Sequence, residues 1–244
     1  MDAESGLNFN AFAAVLIISL FASILLMMTI GQRLAKRILA HEADVVRSRL
    51  TGVETAIFGL MSLMIAFSFS SSAARYEMRW GLVVAEANAI GTAYLRLDLL
   101  PESSQPVLRE KFRRYTEARI AVYHLLGDAK ESDAQAAIAT TLQSEIWTGT
   151  LAALKESPSQ MTVVVIPALN QMFDVATTRA VMLHTHTPKL IFSVLVILGL
   201  ICSLLAGYAL ADTKTHYARL HLTTFAVVVT LAIYLVFDLD YPRY

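Results

Sequence analysis

Charge is scarce in this chain, and the scarcity is local. Lys, Arg, Asp and Glu make up 16% of its 244 residues, against roughly 25% in an ordinary soluble domain. Residues 5–32, 55–74, 190–211 and 222–237 contain none of them. A helix rises about 1.5 Å per residue, so about 20 residues cross a hydrocarbon layer of about 30 Å. The first three runs meet that length. The fourth must borrow its flanks or thin the bilayer locally. A soluble core helix rarely goes about 18 residues without charge, so the pattern points to a multi-pass membrane protein.

Other absences narrow the function. The formal net charge is zero, which removes any bulk attraction for nucleic acid. The single cysteine, Cys202, lies inside the third uncharged run and has no intrachain partner for a disulfide. No Lys or Arg precedes Arg33, so the basic region of a cleaved signal peptide is missing and the first span is expected to stay in the mature protein. There is no Gly-rich phosphate loop, and Thr140, Thr141 and Ser144 show no nucleophile-base arrangement. His184 and His186 would point about 200° apart on a helix, which disfavours a shared metal. His216 and His221 flank a loop. We expect no enzyme, no cofactor and no metal centre.

What is present reads as an all-α integral membrane protein with four transmembrane helices and a helical extramembrane domain between the second and third. The expected division is 1–75 for the first two spans and their basic hairpin, 76–187 for the helical domain, and 188–244 for the last two spans. The first span covers about 9–30 and the second about 53–74. The helical pattern of the second continues past Arg75 to Leu99 without a breaker, so one long helix should leave the membrane and run to Pro101. Helices of about 104–126, 131–156 and 160–186 follow, with Ser103 or Ser104 as an N-cap and a kink or restart at Pro167. Pro188 opens the third span, where Gly199, Ser203 and Gly207 stand four residues apart. Small residues at that spacing let helices approach closely in lipid.

Sidedness follows from basic residues near the membrane. The hairpins 31–52 and 211–221 hold Arg33, Lys36, Arg37, Arg47, Arg49, Lys214 and Arg219. Fewer per residue flank the middle domain. Charge alone therefore puts the hairpins in the cytoplasm and the helical domain outside.

Residues 57–99 are the most informative. Ser62, Ala66, Ser70 and Ala74 form a ridge of small side chains at i, i+4, i+8 and i+12. Such a ridge serves close helix packing or the wall of a narrow passage, and the two are compatible. Beyond it, Arg75 and Arg79 form a like-charge i, i+4 pair, mildly unfavourable in isolation. Glu77 and Glu86 are candidate partners. The group reads either as a structural ion-pair network or as an ion-attracting vestibule containing Arg75, Arg79 and Glu86.

The stretch resembles the bacterial bestrophin-like family in Phe67-Ser68-Phe69-Ser70, Ala74-Arg75-Tyr76-Glu77, Glu86-Ala87-Asn88-Ala89-Ile90-Gly91-Thr92 and Tyr94-Leu95-Arg96-Leu97-Asp98-Leu99-Leu100-Pro101, with Asp238-Leu239-Asp240 and Pro242 near the end. The resemblance implies four spans, a helical domain after the second, and a symmetric homo-oligomer, a pentamer in bestrophin channels. It also implies that the second helix lines a neck, with apolar residues counted back from the Arg-aromatic pair. Here these are Phe67, Leu63 and Gly59. Gly59 departs from the bulky pattern. Bestrophins keep the middle domain in the cytoplasm, which departs from the charge count.

The resulting expectation is a homo-oligomeric ion channel whose second helix lines a central pore through Gly59, Leu63, Phe67, Ser70 and Ala74. Its partners would be inorganic ions, the lipid bilayer and further copies of itself. The rival is a membrane-anchored sensor or scaffold whose helical domain binds a partner. No span carries the buried acid or base of a proton-coupled transporter.

Overall fold

A computed structural model describes residues 2–38, 44–125, 128–183, 185–211 and 216–241. Every regular element among them is helical. Helix α1 spans Asp2–Ile38, α2 Asp44–Leu95, α3 Gln105–His124, α4 Ala129–Lys155, α5 Ser159–Leu183, α6 Lys189–Ala209 and α7 His216–Asp240. A 3-10 turn, Arg96–Leu99, continues α2 toward Pro101. Four helices carry stretches long and apolar enough to cross a membrane: Ala13–Arg37, Gly52–Leu99, Lys189–Ala209 and Arg219–Asp240.

Two boundaries differ from the sequence reading. The polar hairpin expected at 31–52 is largely helical, since α1 runs on to Ile38 and α2 begins at Asp44. The segment between lies outside the described residues. Helix α5 runs unbroken through Pro167 rather than restarting there. Proline has no N–H, so the carbonyl four residues earlier loses its helical donor. The neighbouring Val164 carbonyl accepts from the Arg96 guanidinium. The 52-residue α2 has a contour of about 78 Å at about 1.5 Å per residue, more than twice the hydrocarbon thickness.

The chain divides into two compact units. The membrane unit comprises Gly6–Tyr76 and His186–Pro242, and the other centres on Glu77–Thr185. In the membrane unit, Leu20, Ile24 and Met28 line one face of α1 and pack with Met61, Cys202, Ala226, Val229 and Ile233. Phe58 meets Phe225 edge to face at 5.8 Å. Helices α1 and α6 cross closely. A Cβ placed on Gly207 would lie 2.7 Å from the Met28 Cα, and one on Gly31 would lie 2.9 Å from the Tyr208 nitrogen. Only glycine lets the two backbones come so close. Gly199 packs against Ile233 and Val229 of α7. Another face of α1 keeps bulky Val15, Ile18 and Leu26 exposed.

The second unit packs α3, α4 and α5 with the outer part of α2 around Phe112, Tyr115, Ile146, Leu169 and Met172. Asp128 caps α4 by accepting from the Lys130 and Glu131 amides. Ser104 is the N-cap of α3, but its hydroxyl donates to the Pro101 carbonyl at 2.8 Å.

Candidate functional site

Helix α2 turns about 100° per residue, and burial sets its phase. Met61, Ser68, Ser72 and Arg79 are buried and fall within about 20° of one direction on that count. Gly59, Leu63, Phe67, Ser70 and Ala74 are all exposed and share an arc about 80° wide on the opposite side. Phe67 keeps 65% of its surface, and a Cβ on Gly59 would meet nothing within 4 Å. The ridge of Ser62, Ala66, Ser70 and Ala74 is likewise exposed. Among the described residues, no other helix of the chain covers it.

The charged residues behave differently from this stripe. Arg75 is half-buried, and its Nε donates to Asp240 Oδ1 at 2.9 Å. Its remaining nitrogens reach Ser71 at 2.7 Å, Ser72 at 3.0 Å and the Thr187 hydroxyl. Asp240 is fully buried. It also accepts from the Thr187 hydroxyl at 2.8 Å and the Thr187 amide at 2.9 Å. One carboxylate at the end of α7 thus ties α2 to the entry of α6. His186 joins the junction through Nδ1, 3.3 Å from the Asp240 carbonyl, and stacks on Tyr241 with ring centroids 4.5 Å apart.

Glu86 anchors a second network, inside the helical unit. It is 2% exposed. One carboxylate oxygen accepts from Arg119 Nε at 2.5 Å and the other from Arg179 Nη1 at 2.6 Å. Arg179 lies over the Tyr123 ring, 3.4 Å from its centroid, and Arg119 donates to the Tyr123 hydroxyl at 2.9 Å. Burial pulls the Arg119 guanidinium downward, but its hydrogen bond to Glu86 and the nearby charge hold it above its ordinary value. Burial likewise raises Tyr123 and keeps the phenol neutral. Arg79 is buried beside this network and donates to the Thr185 carbonyl at 2.8 Å.

Arg75, Arg79 and Glu86 therefore face the interior of the chain, engaged in the hydrogen bonds just described. Their expected partners need correction. Arg75 pairs with Asp240 rather than Glu77 or Glu86, and Glu86 pairs with Arg119 and Arg179. Glu77 is exposed, and no bond or ion pair engages it among the described residues. Arg119, Arg179, Thr187 and Asp240 escaped the sequence reading as members of these networks. The Asp-Leu-Asp motif was the one hint available. His184, Lys214 and Pro242 lie outside the described residues, as do the side chains of Arg47, Arg49 and His216.

The helical unit also carries an open groove of about 400 Å³ between α2 and Pro167 of α5. Asn88, Thr92, Arg96 and Gln171 line it over Ala89 and Ala168. Comparison with known proteins adds one finding. The Bestrophin-like domain family matches residues 6–242, spanning both units. Neither a curated protein nor a solved structure matches the chain.

Proposed function

The chain belongs to the bestrophin-like family, and from that premise we propose that it is a homo-oligomeric ion channel with α2 lining a central pore. Four helices bury too little surface to enclose a wet path alone, so several copies share one axis. Gly59, Leu63, Phe67, Ser70 and Ala74 of each copy face that axis. One observation carries the reading: α2 is the span least covered by its own protomer. In its most apolar window 11% of residues are buried, against 22% in α1 and 33% in α6 and α7. The uncovered face interleaves small and hydroxyl-bearing Gly59, Ser62, Ala66, Ser70 and Ala74 with Leu63 and Phe67. That chemistry suits neighbouring copies and a narrow aqueous path better than acyl chains. Phe67 and Leu63 form an apolar constriction able to gate by dewetting.

The arginines have a structural role in this reading. Arg75 and Arg79 position α2, and Glu86 locks it to α3 and α5. The basic hairpins lie in the cytoplasm and the helical unit on the opposite side of a bacterial inner membrane. An impermeant thiol reagent should reach Asp133→Cys in intact cells.

Ion flux from liposomes holding purified protein tests the channel, with Phe67→Ala alongside. Flux that rises in Phe67→Ala supports it. A monomeric particle, or no flux under any salt or voltage, removes it. The groove at Asn88 and Arg96 favours the second reading, a membrane-anchored sensor or scaffold, which absence of flux would leave standing.

A further inference from the structure

Between Gly52 and Leu95, α2 carries five charged residues: Glu54, Arg75, Glu77, Arg79 and Glu86. Taking buried Met61 as the inward direction, Glu54, Arg75, Arg79 and Glu86 all fall within about 40° of it. Glu77 falls about 160° away. Burial agrees with this count. Arg79 and Glu86 are buried, Glu54 and Arg75 are half-buried, and Glu77 is exposed. Charge on this stretch of α2 is thus sorted by face. From Gly52 to Leu95 the outward face carries negative charge alone, and the positive residue that shares its direction by the same count, Arg49, lies toward the opposite end of the helix.

Glu77 follows Ala74 by three residues, which places it on the same face one turn along. It is the first charge met on that face after the uncharged run 55–74. Further on, Gly81, Val84, Asn88 and Thr92 continue the exposed face, and the next charge beside them is Arg96, which lines the groove against α5. Arg75 and Arg79, the residues that would argue for anions, turn the other way.

We propose that the permeant ions are inorganic cations, concentrated at one mouth of the pore by a ring of Glu77 carboxylates, one from each copy. The inference rests on the channel reading above. Symmetry converts one exposed carboxylate per chain into a ring, and rings of Asp or Glu favour cations by raising their local concentration. Between Gly52 and Leu95, no compensating positive charge shares the face.

The test is the reversal potential of reconstituted protein under a NaCl gradient. Wild type should pass Na⁺ several-fold better than Cl⁻. Glu77→Gln, a near-isosteric change at an exposed site, should bring the permeability ratio toward one. Glu77→Lys should invert it. Anion-selective current in wild type, or a ratio unmoved by both substitutions, overturns this inference and leaves the channel standing. Absence of current in all three proteins, each confirmed folded and oligomeric by size, removes the channel reading and this inference with it.

Discussion

Replacing Gly207 with alanine probes the membrane unit at its least forgiving point. The added Cβ would sit 2.7 Å from both the Met28 Cα and its carbonyl carbon, with the carbonyl oxygen closer still, whereas ordinary contact begins at 3.4 Å. Helices α1 and α6 must therefore part by more than about 0.7 Å, the difference between those two distances, because the carbonyl oxygen demands more than the carbons. All three obstructing atoms are backbone, so no rotamer change relieves the clash. A gap of about 0.5–1 Å forfeits a quarter to a half of each dispersion contact. In lipid, that packing is much of what holds helices together. Overpacking costs about 1–3 kcal/mol, and here the upper end applies. About 1 kcal/mol returns from alanine's helix preference, leaving a net loss of about 2 kcal/mol. Gly31→Ala strikes the same crossing, 2.9 Å from the Tyr208 nitrogen and 3.0 Å from the Leu204 carbonyl carbon. The double variant should therefore lose little more than either single one, because the helices are already apart. Cys202 supplies the assay: it is the only thiol in the chain and 0% exposed. Its reaction with a fluorescent maleimide during heating in detergent reports the opening of this unit. Gly59→Ala, with nothing within 4 Å, should match or exceed wild type. A wild-type midpoint for Gly207→Ala, or an equal loss in Gly59→Ala, would refute the close crossing.

Two buried carboxylates give further expectations. Asp240→Asn keeps the shape but leaves the Arg75 guanidinium without its counter-charge, which should cost about 3 kcal/mol. Adding Arg75→Gln should recover part of that loss, as read from the midpoint of Cys202 exposure. Glu86→Gln strands two guanidiniums, Arg119 and Arg179, and should cost the helical unit a similar amount. Amide exchange in α3 and α5 would then speed by about 100-fold if opening there is limited by this network. Exchange unchanged in those helices would show that the ion pairs contribute little.

The spans were legible because three of the four uncharged runs are longer than a soluble core helix allows, and the fourth, 222–237, has flanks it can borrow. The length of α2 was legible because nothing between Arg75 and Pro101 can stop a helix. The orientation of its charges was not. The partner of Arg75 lies 165 residues away and those of Glu86 lie 33 and 93 away, so local spacing could not reveal them. Adjacent Glu77 looked like a partner and is not one. The phase of α2 was hidden for a related reason: serine occupies both faces, inward at Ser68 and Ser72 and outward at Ser62 and Ser70. The spacing of Gly199, Ser203 and Gly207 did announce a close helix approach. Its counterpart, Gly31, was obscured by its place at the end of the uncharged run, where a hairpin was expected. Gly59, Leu63, Phe67, Ser70 and Ala74, grouped by the count back from Arg75-Tyr76 and by the small-residue ridge, share one exposed face of α2.

The central claim is that this face borders a shared aqueous path. Single cysteines at Leu63, Phe67, Ser70 and Ala74, and at the inward positions Met61, Ser68 and Ser72, can be introduced with Cys202 replaced by serine. Reconstituted proteins are then challenged with a water-soluble methanethiosulfonate during a flux recording. The account predicts block at the four outward positions and none at the three inward ones. Block confined to the inward set, or flux untouched by reagent at every position, would contradict it.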